Sequence, residues 1–121
     1  MPRHPERQQR VSDAIRRIVA IALHDEVKDF DFTMLTVTRV DVTRDLSEAA
    51  VRYSVLGTEE KRRECADQLA KVSSFIQRRV GEEITIHHVP RVRFVYDPSI
   101  DHGIELERLF DQIERERKNN L

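Results

Sequence analysis

Two stretches of the chain carry apolar residues at the three- and four-residue spacing that is typical of an amphipathic helix. The apolar stripe of the first stretch, within residues 11–27, is formed by Val11, Ala14, Ile15, Ile18, Val19 and Ala22. The stripe of the second is formed by Cys65, Leu69, Val72, Ile76 and Val80. Thr58, followed by two glutamates, is a typical N-cap for the second helix, and Gly81 is a candidate stop. The pattern therefore predicts two long helices, each with one buried side.

Three further stretches are rich in β-branched residues and predict strands: residues 33–42, residues 48–57 and residues 84–96. In the first, the apolar positions change phase between Val37 and Val40, which predicts a β-bulge. The short polar connection at residues 43–47 predicts that the first two strands form an antiparallel hairpin.

The third predicted strand alternates most clearly near its end. Pro90 lacks an N–H and is expected at a strand start or edge, and Asp97-Pro98 is expected to end the strand. Between them, one face carries Val92, Phe94 and Tyr96, and the other carries Arg91, Arg93 and Val95. The last part of the chain predicts a short helix on Leu106, Leu109, Phe110 and Ile113.

This order of elements predicts an α+β fold. A hairpin, followed by a helical crossover to a third strand, gives a three-stranded mixed sheet with the helices packed on one face. A chain of 121 residues with 39% hydrophobic residues is large enough for one core. We expect a single domain over residues 1–113 and a flexible C-terminal tail over residues 114–121.

The charge balance restricts the function. A formal net charge of −1 argues against a protein that coats nucleic acid without selectivity, although 36% of the residues are charged. The two ends differ: residues 1–24 hold five arginines against two acids, and residues 101–121 hold six acids against four bases. This separation favours an oriented electrostatic contact with a partner.

Compartment and chemistry follow from what the sequence does not contain. The single cysteine cannot form an intramolecular disulfide, and no apolar run reaches the length of a membrane span, so we expect a cytoplasmic protein without a membrane partner. His87 and His88 are adjacent on a predicted strand and should face opposite ways, so a metal site is not expected. Asp97, Ser99 and His102 superficially resemble a catalytic trio, but their closeness in sequence favours a capping network over a hydrolase. We expect neither an enzyme nor a cofactor.

One cationic region is a candidate binding surface. Ser73 and Ser74 lie in the middle of the second long helix, where serine hydroxyls compete for backbone hydrogen bonds and can bend a helix. A break there would start a new helical segment near Phe75, and its N–H groups would face a phosphate. An ordinary helix with two surface serines is the alternative. Residues 71–95 carry five basic side chains against two glutamates, which suits a single-stranded or distorted RNA.

Several segments together resemble the ribosome-binding factor A family of bacterial ribosome-assembly proteins. The resemblance covers roughly residues 7–113, and its most specific parts are "VTRDLSEAAV" at residues 42–51 and "VPRVRFVYDPSI" at residues 89–100. It implies a KH-like fold of type II, with the element order α-β-β-α-α-β. The family has an Ala-x-Gly kink between two helices where this chain reads Val72-Ser73-Ser74, so the glycine is absent. In "KDFDF" the chain also lacks the proline and arginine that the family usually carries there.

The resemblance implies binding to the small (30S) ribosomal subunit during late maturation, near the 5′-terminal helix of 16S rRNA, with added importance in the cold. The partners would be 16S rRNA and the immature subunit, with no small-molecule substrate, and the protein would be a monomer. The residues expected to contact RNA are Lys71, Ser73, Ser74, Gln77, Arg78, Arg79, Arg44, Arg91 and Arg93, with Arg10, Arg16 and Arg17 as a second tier. The alternative function is a KH-like protein-interaction adaptor that does not bind RNA directly.

Overall fold

The computed structural model of the chain describes residues 5–98 and residues 113–116. The first helix, α1, spans Pro5–Ile21 and continues into a π-helical turn at Ala22–Glu26. Its predicted stripe is confirmed, because Val11, Ile15 and Val19 are buried. Gln8, near the start of α1, donates a hydrogen bond of 3.0 Å to the carbonyl oxygen of Val42, which joins the helix to the end of the first strand.

The strands are β1 (Leu35–Val42), β2 (Glu48–Val55) and β3 (Arg91–Tyr96), in the sheet order β1-β2-β3. β1 pairs antiparallel with β2, and β2 pairs parallel with β3, so the predicted mixed sheet is confirmed. The register of β1 against β2 shifts between Val37 and Arg39, where the change of apolar phase predicts the bulge.

The second helix, α2, spans Glu59–Glu83 without interruption. Thr58 caps it, because the Thr58 hydroxyl accepts a hydrogen bond of 3.1 Å from the N–H of Lys61. Gly81 does not end the helix, contrary to the prediction. The helix ends at Glu83, and the next residue, Ile84, has an extended backbone and donates its N–H to the carbonyl of Val80 at 3.0 Å.

One core lies between the helices and the inner face of the sheet. Ala49, Val51, Tyr53 and Val55 of β2 are buried there, opposite Ile15 of α1 and the buried stripe of α2. The helices therefore pack on one face of the sheet, as predicted. Phe32 is also fully buried, although "KDFDF" only interrupts the helical pattern in the sequence.

The third predicted strand is shorter than expected. Residues 84–90 form an irregular connection between α2 and β3, and the strand begins at Arg91, directly after Pro90. Of the predicted final helix, residues 113–116 are helical, and Leu106, Leu109 and Phe110 lie outside the described residues. The domain boundary at residue 113 and the flexible tail stay predictions.

Candidate nucleic-acid interface

An open groove of about 560 Å³ lies between the second half of α2 and the beginning of β3. We call it the α2–β3 groove; its walls are formed by Ser73, Ser74, Gln77, Arg78, Val89, Arg91 and Val92. Five of these seven residues are among those predicted to contact RNA. The fold thus brings together residues from two sequence segments that only a tertiary contact can join.

Gln77 holds the two walls of the groove together. Its Nε2 donates to the carbonyl oxygen of Pro90 at 3.0 Å, and its Oε1 accepts from the N–H of Val92 at 2.8 Å. Since the N–H of Arg91 points to Ser47 of the hairpin, the N–H of Val92 points the other way, toward the open edge of the sheet. The Gln77 amide therefore pairs a backbone N–H that β2 does not reach. Both polar atoms of the Gln77 side chain are used in this contact between α2 and β3.

The cationic character of the groove comes from Arg78 and Arg91. Both side chains are exposed, no carboxylate lines the groove, and neither arginine forms an ion pair within the described part of the chain. The guanidinium carbon of Arg78 lies 5.9 Å from the ring centroid of Phe75, a cation–π distance that leaves its N–H groups available. Lys71 is exposed on the same side of α2, seven residues before Arg78. The groove thus presents two guanidinium groups, and Lys71 extends them along the helix.

The predicted helix break is wrong. The Ser73 hydroxyl donates to the carbonyl oxygen of Ala70 at 3.1 Å, so it bonds back to its own helix instead of opening it. The buried stripe also remains in phase on both sides of the serines, from Leu69 to Ile76 and Val80. The positive end of the helix dipole consequently lies at Thr58, roughly 24 Å from Ser74 at 1.5 Å per residue. Anion binding in the groove must therefore depend on side chains.

Arg79 lies next to Arg78 in the sequence but in a different environment. Its side chain, 25% exposed, contacts Glu26 at 2.8 Å, Glu83 at 3.1 Å and Glu82 at 3.3 Å. The hydrogen bond to Glu26 raises the pKa of Arg79 further above its usual value, and the same bond lowers the pKa of Glu26. Arg79 therefore connects α2 to the π-helical turn. Its positive charge is balanced by three glutamates, so we expect it to contribute little to binding an anionic partner.

Arg93 is also paired within the protein. Its Nε donates to Glu48 at 2.7 Å on the face of the sheet away from the helices. The same face carries a second ionic cluster, in which Asp41 accepts from Arg39 at 2.8 Å and from Arg52 at 2.7 Å. The open face of the sheet thus combines charges of both signs, in contrast to the groove.

The remaining predicted residues lie outside the groove. Arg10, Arg16 and Arg17 are exposed on α1, where Arg10 and Arg17 share one side and Arg16 lies about 100° around the helix from Arg17. Arg44 is exposed in the turn between β1 and β2, and it lines a separate, smaller pocket. The twelve predicted residues therefore do not form one continuous surface.

The histidine pair does not behave as the strand pattern suggested. His87 and His88 lie in the irregular connection, and their ring centroids are 4.5 Å apart in an edge-to-face arrangement. The prediction that they face opposite ways was therefore wrong. Even so, no group of three or more metal-ligating side chains occurs among residues 5–98 and 113–116. No helix in these ranges is both long and apolar enough to cross a membrane.

Asp97 takes part in a structural contact at the end of β3. Its backbone N–H donates to the carbonyl of Tyr53 at 2.7 Å, and its carboxylate accepts from the Thr38 hydroxyl at 3.2 Å. Ser99 and His102, the other members of the apparent trio, lie outside the described residues.

A mixed three-stranded sheet with helices on one face and a cationic groove beside the parallel strand defines a small KH-like protein. The chain belongs to the ribosome-binding factor A family, whose family model matches residues 7–110. The ribosome-binding factor A of Syntrophomonas wolfei is 34% identical over 116 residues, which covers 94% of this chain and 95% of that protein.

One solved structure and one homology model fitted into a cryo-EM map have the same fold. The first is the solution structure of a Thermotoga maritima protein, whose sequence is 24% identical to this chain. The aligned region covers 78% of this chain and 90% of that protein, with a TM-score of 0.66. A model of the Thermus thermophilus ribosome-binding factor A, fitted into the cryo-EM map of its complex with the 30S subunit, is 18% identical. The aligned region covers 72% of this chain and 91% of that model, with a TM-score of 0.58.

Proposed function

We propose that this protein binds the small ribosomal subunit through the α2–β3 groove and assists its late maturation. The single observation that carries the proposal is the pair of unneutralised guanidinium groups, Arg78 and Arg91, in one groove without a carboxylate. Guanidinium groups bind phosphate oxygens through paired N–H donors, and ribosomal RNA offers phosphates at high density. Membership of the family and the Thermus thermophilus complex with the 30S subunit support this choice of partner.

The groove suits irregular RNA better than a regular double helix. Arg78 lies on α2 and Arg91 on β3, so the two guanidinium groups can contact phosphates of an irregular RNA backbone. Since the helix dipole does not reach the groove, affinity depends on a few side chains and stays sensitive to salt. A contact of this kind can be released when the RNA changes its arrangement.

We infer that the site on the subunit is the region around the 5′-terminal helix of 16S rRNA. The protein would favour one arrangement of that RNA, and it must bind the immature arrangement more tightly than the mature one to be released. Because low temperature stabilises incorrect RNA pairings, its contribution would be greatest in the cold.

Co-sedimentation with purified immature small subunits tests the proposal. The wild-type protein is expected to migrate with the subunits at low salt and to dissociate at high salt. The double variant Arg78→Ala/Arg91→Ala should bind on the order of tenfold or more weakly, and its salt dependence should fall by about one unit of log–log slope per arginine. Arg63→Ala, which removes an exposed arginine paired with Glu59, is the control and should bind normally.

Two results would contradict the proposal. Full affinity of the double variant would exclude the α2–β3 groove as the contact surface. Absence of the wild-type protein from the subunit fraction at low salt would instead favour the protein-interaction adaptor.

A further inference from the structure

A second concave site lies where the β1–β2 turn meets the start of α1 and the connection before β3. We call it the hairpin pocket; it has a volume of about 190 Å³ and is lined by Arg7, Gln8, Arg44, Asp45, Leu46, Ile86, His87 and His88. Arg7, His87 and His88 are absent from the predicted binding residues, since nothing in the sequence indicates that the three segments meet.

The charges in the hairpin pocket favour an anion. Arg7 and Arg44 are exposed, and neither forms an ion pair within residues 5–98. The only acid in the lining, Asp45, is held by its own turn: its Oδ1 accepts from the Ser47 hydroxyl at 2.7 Å and from the Thr43 hydroxyl at 2.8 Å. A ligand in the pocket therefore meets two available guanidinium groups and a carboxylate that is already hydrogen-bonded.

The rest of the lining favours an aromatic group beside that anion. The rings of His87 and His88 meet at an interplanar angle of 69°, and both residues are exposed. Leu46, which is 8% exposed, contributes apolar surface to the same lining. Histidine rings are among the side chains on which unpaired bases stack.

The size of the pocket limits what can enter. Pockets that enclose drug-sized ligands begin at roughly 300 Å³, so a site of about 190 Å³ can enclose only part of one nucleotide and leaves the rest of an RNA chain outside. We propose that the hairpin pocket binds a single unstacked nucleotide of RNA, with its phosphate on Arg7 and Arg44 and its base against the two histidine rings.

This inference rests on the proposed function and adds a second contact to it. His87 and His88 line the hairpin pocket, and Val89 and Arg91 line the α2–β3 groove, so the two sites lie on consecutive parts of one segment. One RNA segment can therefore contact both sites, the groove through phosphates alone and the pocket through a phosphate and a base.

The ring signals of His87 and His88 in NMR spectra of the full chain test the proposal. They are followed at constant ionic strength during titration with inorganic phosphate, adenosine 5′-monophosphate and a five-nucleotide oligoadenylate. We expect saturable shifts with both adenine ligands, weaker binding of phosphate, and binding of the oligonucleotide at least as tight as that of the mononucleotide. Arg44→Ala should weaken adenine-ligand binding about tenfold or more, because one charge-assisted contact is lost. Arg63→Ala should have no effect.

Several results would overturn the proposal. These are the absence of saturable shifts, shifts that persist unchanged in Arg44→Ala, and phosphate binding as tight as nucleotide binding. Tighter binding of the mononucleotide than of the oligonucleotide would also overturn it, since the site would then serve a free nucleotide. Subunit co-sedimentation, measured in parallel, separates this failure from failure of the proposed function: a protein that still binds subunits through Arg78 and Arg91 retains the function without the pocket.

Discussion

Arg79 and Glu26 are 53 residues apart in the sequence, yet the Arg79 Nε donates to the Glu26 carboxylate at 2.8 Å and connects α2 to the π-helical turn after α1. Arg78, its neighbour, projects from another side of α2 into the α2–β3 groove and has no carboxylate partner in the described part of the chain. Two adjacent arginines thus have different roles because they lie about 100° apart around one helix.

The two adjacent arginines predict opposite effects of the same substitution. Arg79→Ala should lower the stability of the fold, because Glu26 loses the cation that it contacts, and it should affect subunit affinity only in proportion to unfolding. Arg78→Ala should leave stability within about 0.5 kcal/mol of the wild type and weaken subunit binding. Urea unfolding and subunit co-sedimentation of both variants check this. Equal losses of affinity in the two well-folded variants would show that Arg79 also contacts the partner.

The hydrogen bonds of Gln77 predict that its substitution lowers the stability of the fold, although the residue lies in a candidate binding groove. Gln77→Ala removes the partners of the Pro90 carbonyl and the Val92 N–H, and a partly buried group without a partner costs about 1–3 kcal/mol. Gln9→Ala is a matched control, since the Gln9 amide donates to the exposed side chain of Asp13. Urea unfolding should separate the two variants; equal free energies of unfolding would mean that water replaces the Gln77 amide without cost.

The strands and helices were predictable from the sequence because their periodicity is local. The change of apolar phase within β1 indicated the bulge, and the spacing from Cys65 to Val80 indicated the buried side of α2. Those signals depend only on neighbouring residues and on which side of each element meets the core.

The limits of β3 were not predictable in this way. Residues 84–89 alternate as a strand would, but Arg91 pairs with Glu48, the first residue of β2. Before Glu48 the chain turns back toward β1, so no backbone remains for residues 84–90 to pair with. That constraint comes from the partner strand and leaves no pattern in the segment itself.

The candidate site, too, was predictable from the sequence only where the signal is local. Arg78 and Arg91 were predictable as exposed cations, but the contact that places them in one groove depends on Gln77 reaching β3. The ion pairs that neutralise Arg79 and Arg93 cross long sequence separations, and so does the approach of Arg7 to His87. Charge counting along the chain therefore overestimated the number of available cations.

The lowered pKa of Glu26 predicts how stability responds to acid. Its hydrogen bond to Arg79 moves the pKa of the folded protein below the ordinary value of 4.5, so the unfolded chain takes up a proton at higher pH than the folded one. The stabilising effect is complete above the pKa of the unfolded chain and is lost as the pH falls through the folded pKa. Asp41, whose pKa is lowered by Arg39 and then by Arg52, adds to the same trend.

Glu26→Gln should therefore be less stable than the wild type at pH 7, and the difference should shrink as the pH falls below about 4.5. Asp67→Asn, an exposed substitution on α2, is the control and should follow the wild-type pH profile. Urea unfolding from pH 7 to pH 3 measures both profiles. A difference between wild type and Glu26→Gln that is constant with pH would exclude the ion pair as its origin.

Substitution by alanine is expected to have opposite effects on the stability of the protein at Gly57 and at Gly81. Gly57 has φ +128°, a conformation that residues with a Cβ rarely adopt, so Gly57→Ala should destabilise the protein by about 1–3 kcal/mol. Gly81 lies inside α2, and a Cβ added there would meet Val89 Cγ2 at 3.9 Å, an ordinary contact distance. Gly81→Ala should therefore stabilise the protein by about 0.5–1 kcal/mol, because alanine loses less conformational freedom than glycine when a helix forms. Urea unfolding with an unchanged m-value measures both effects. A loss of stability in Gly81→Ala would mean that the connection at Val89 cannot accept the added methyl group, and the wall of the α2–β3 groove would then depend on this glycine.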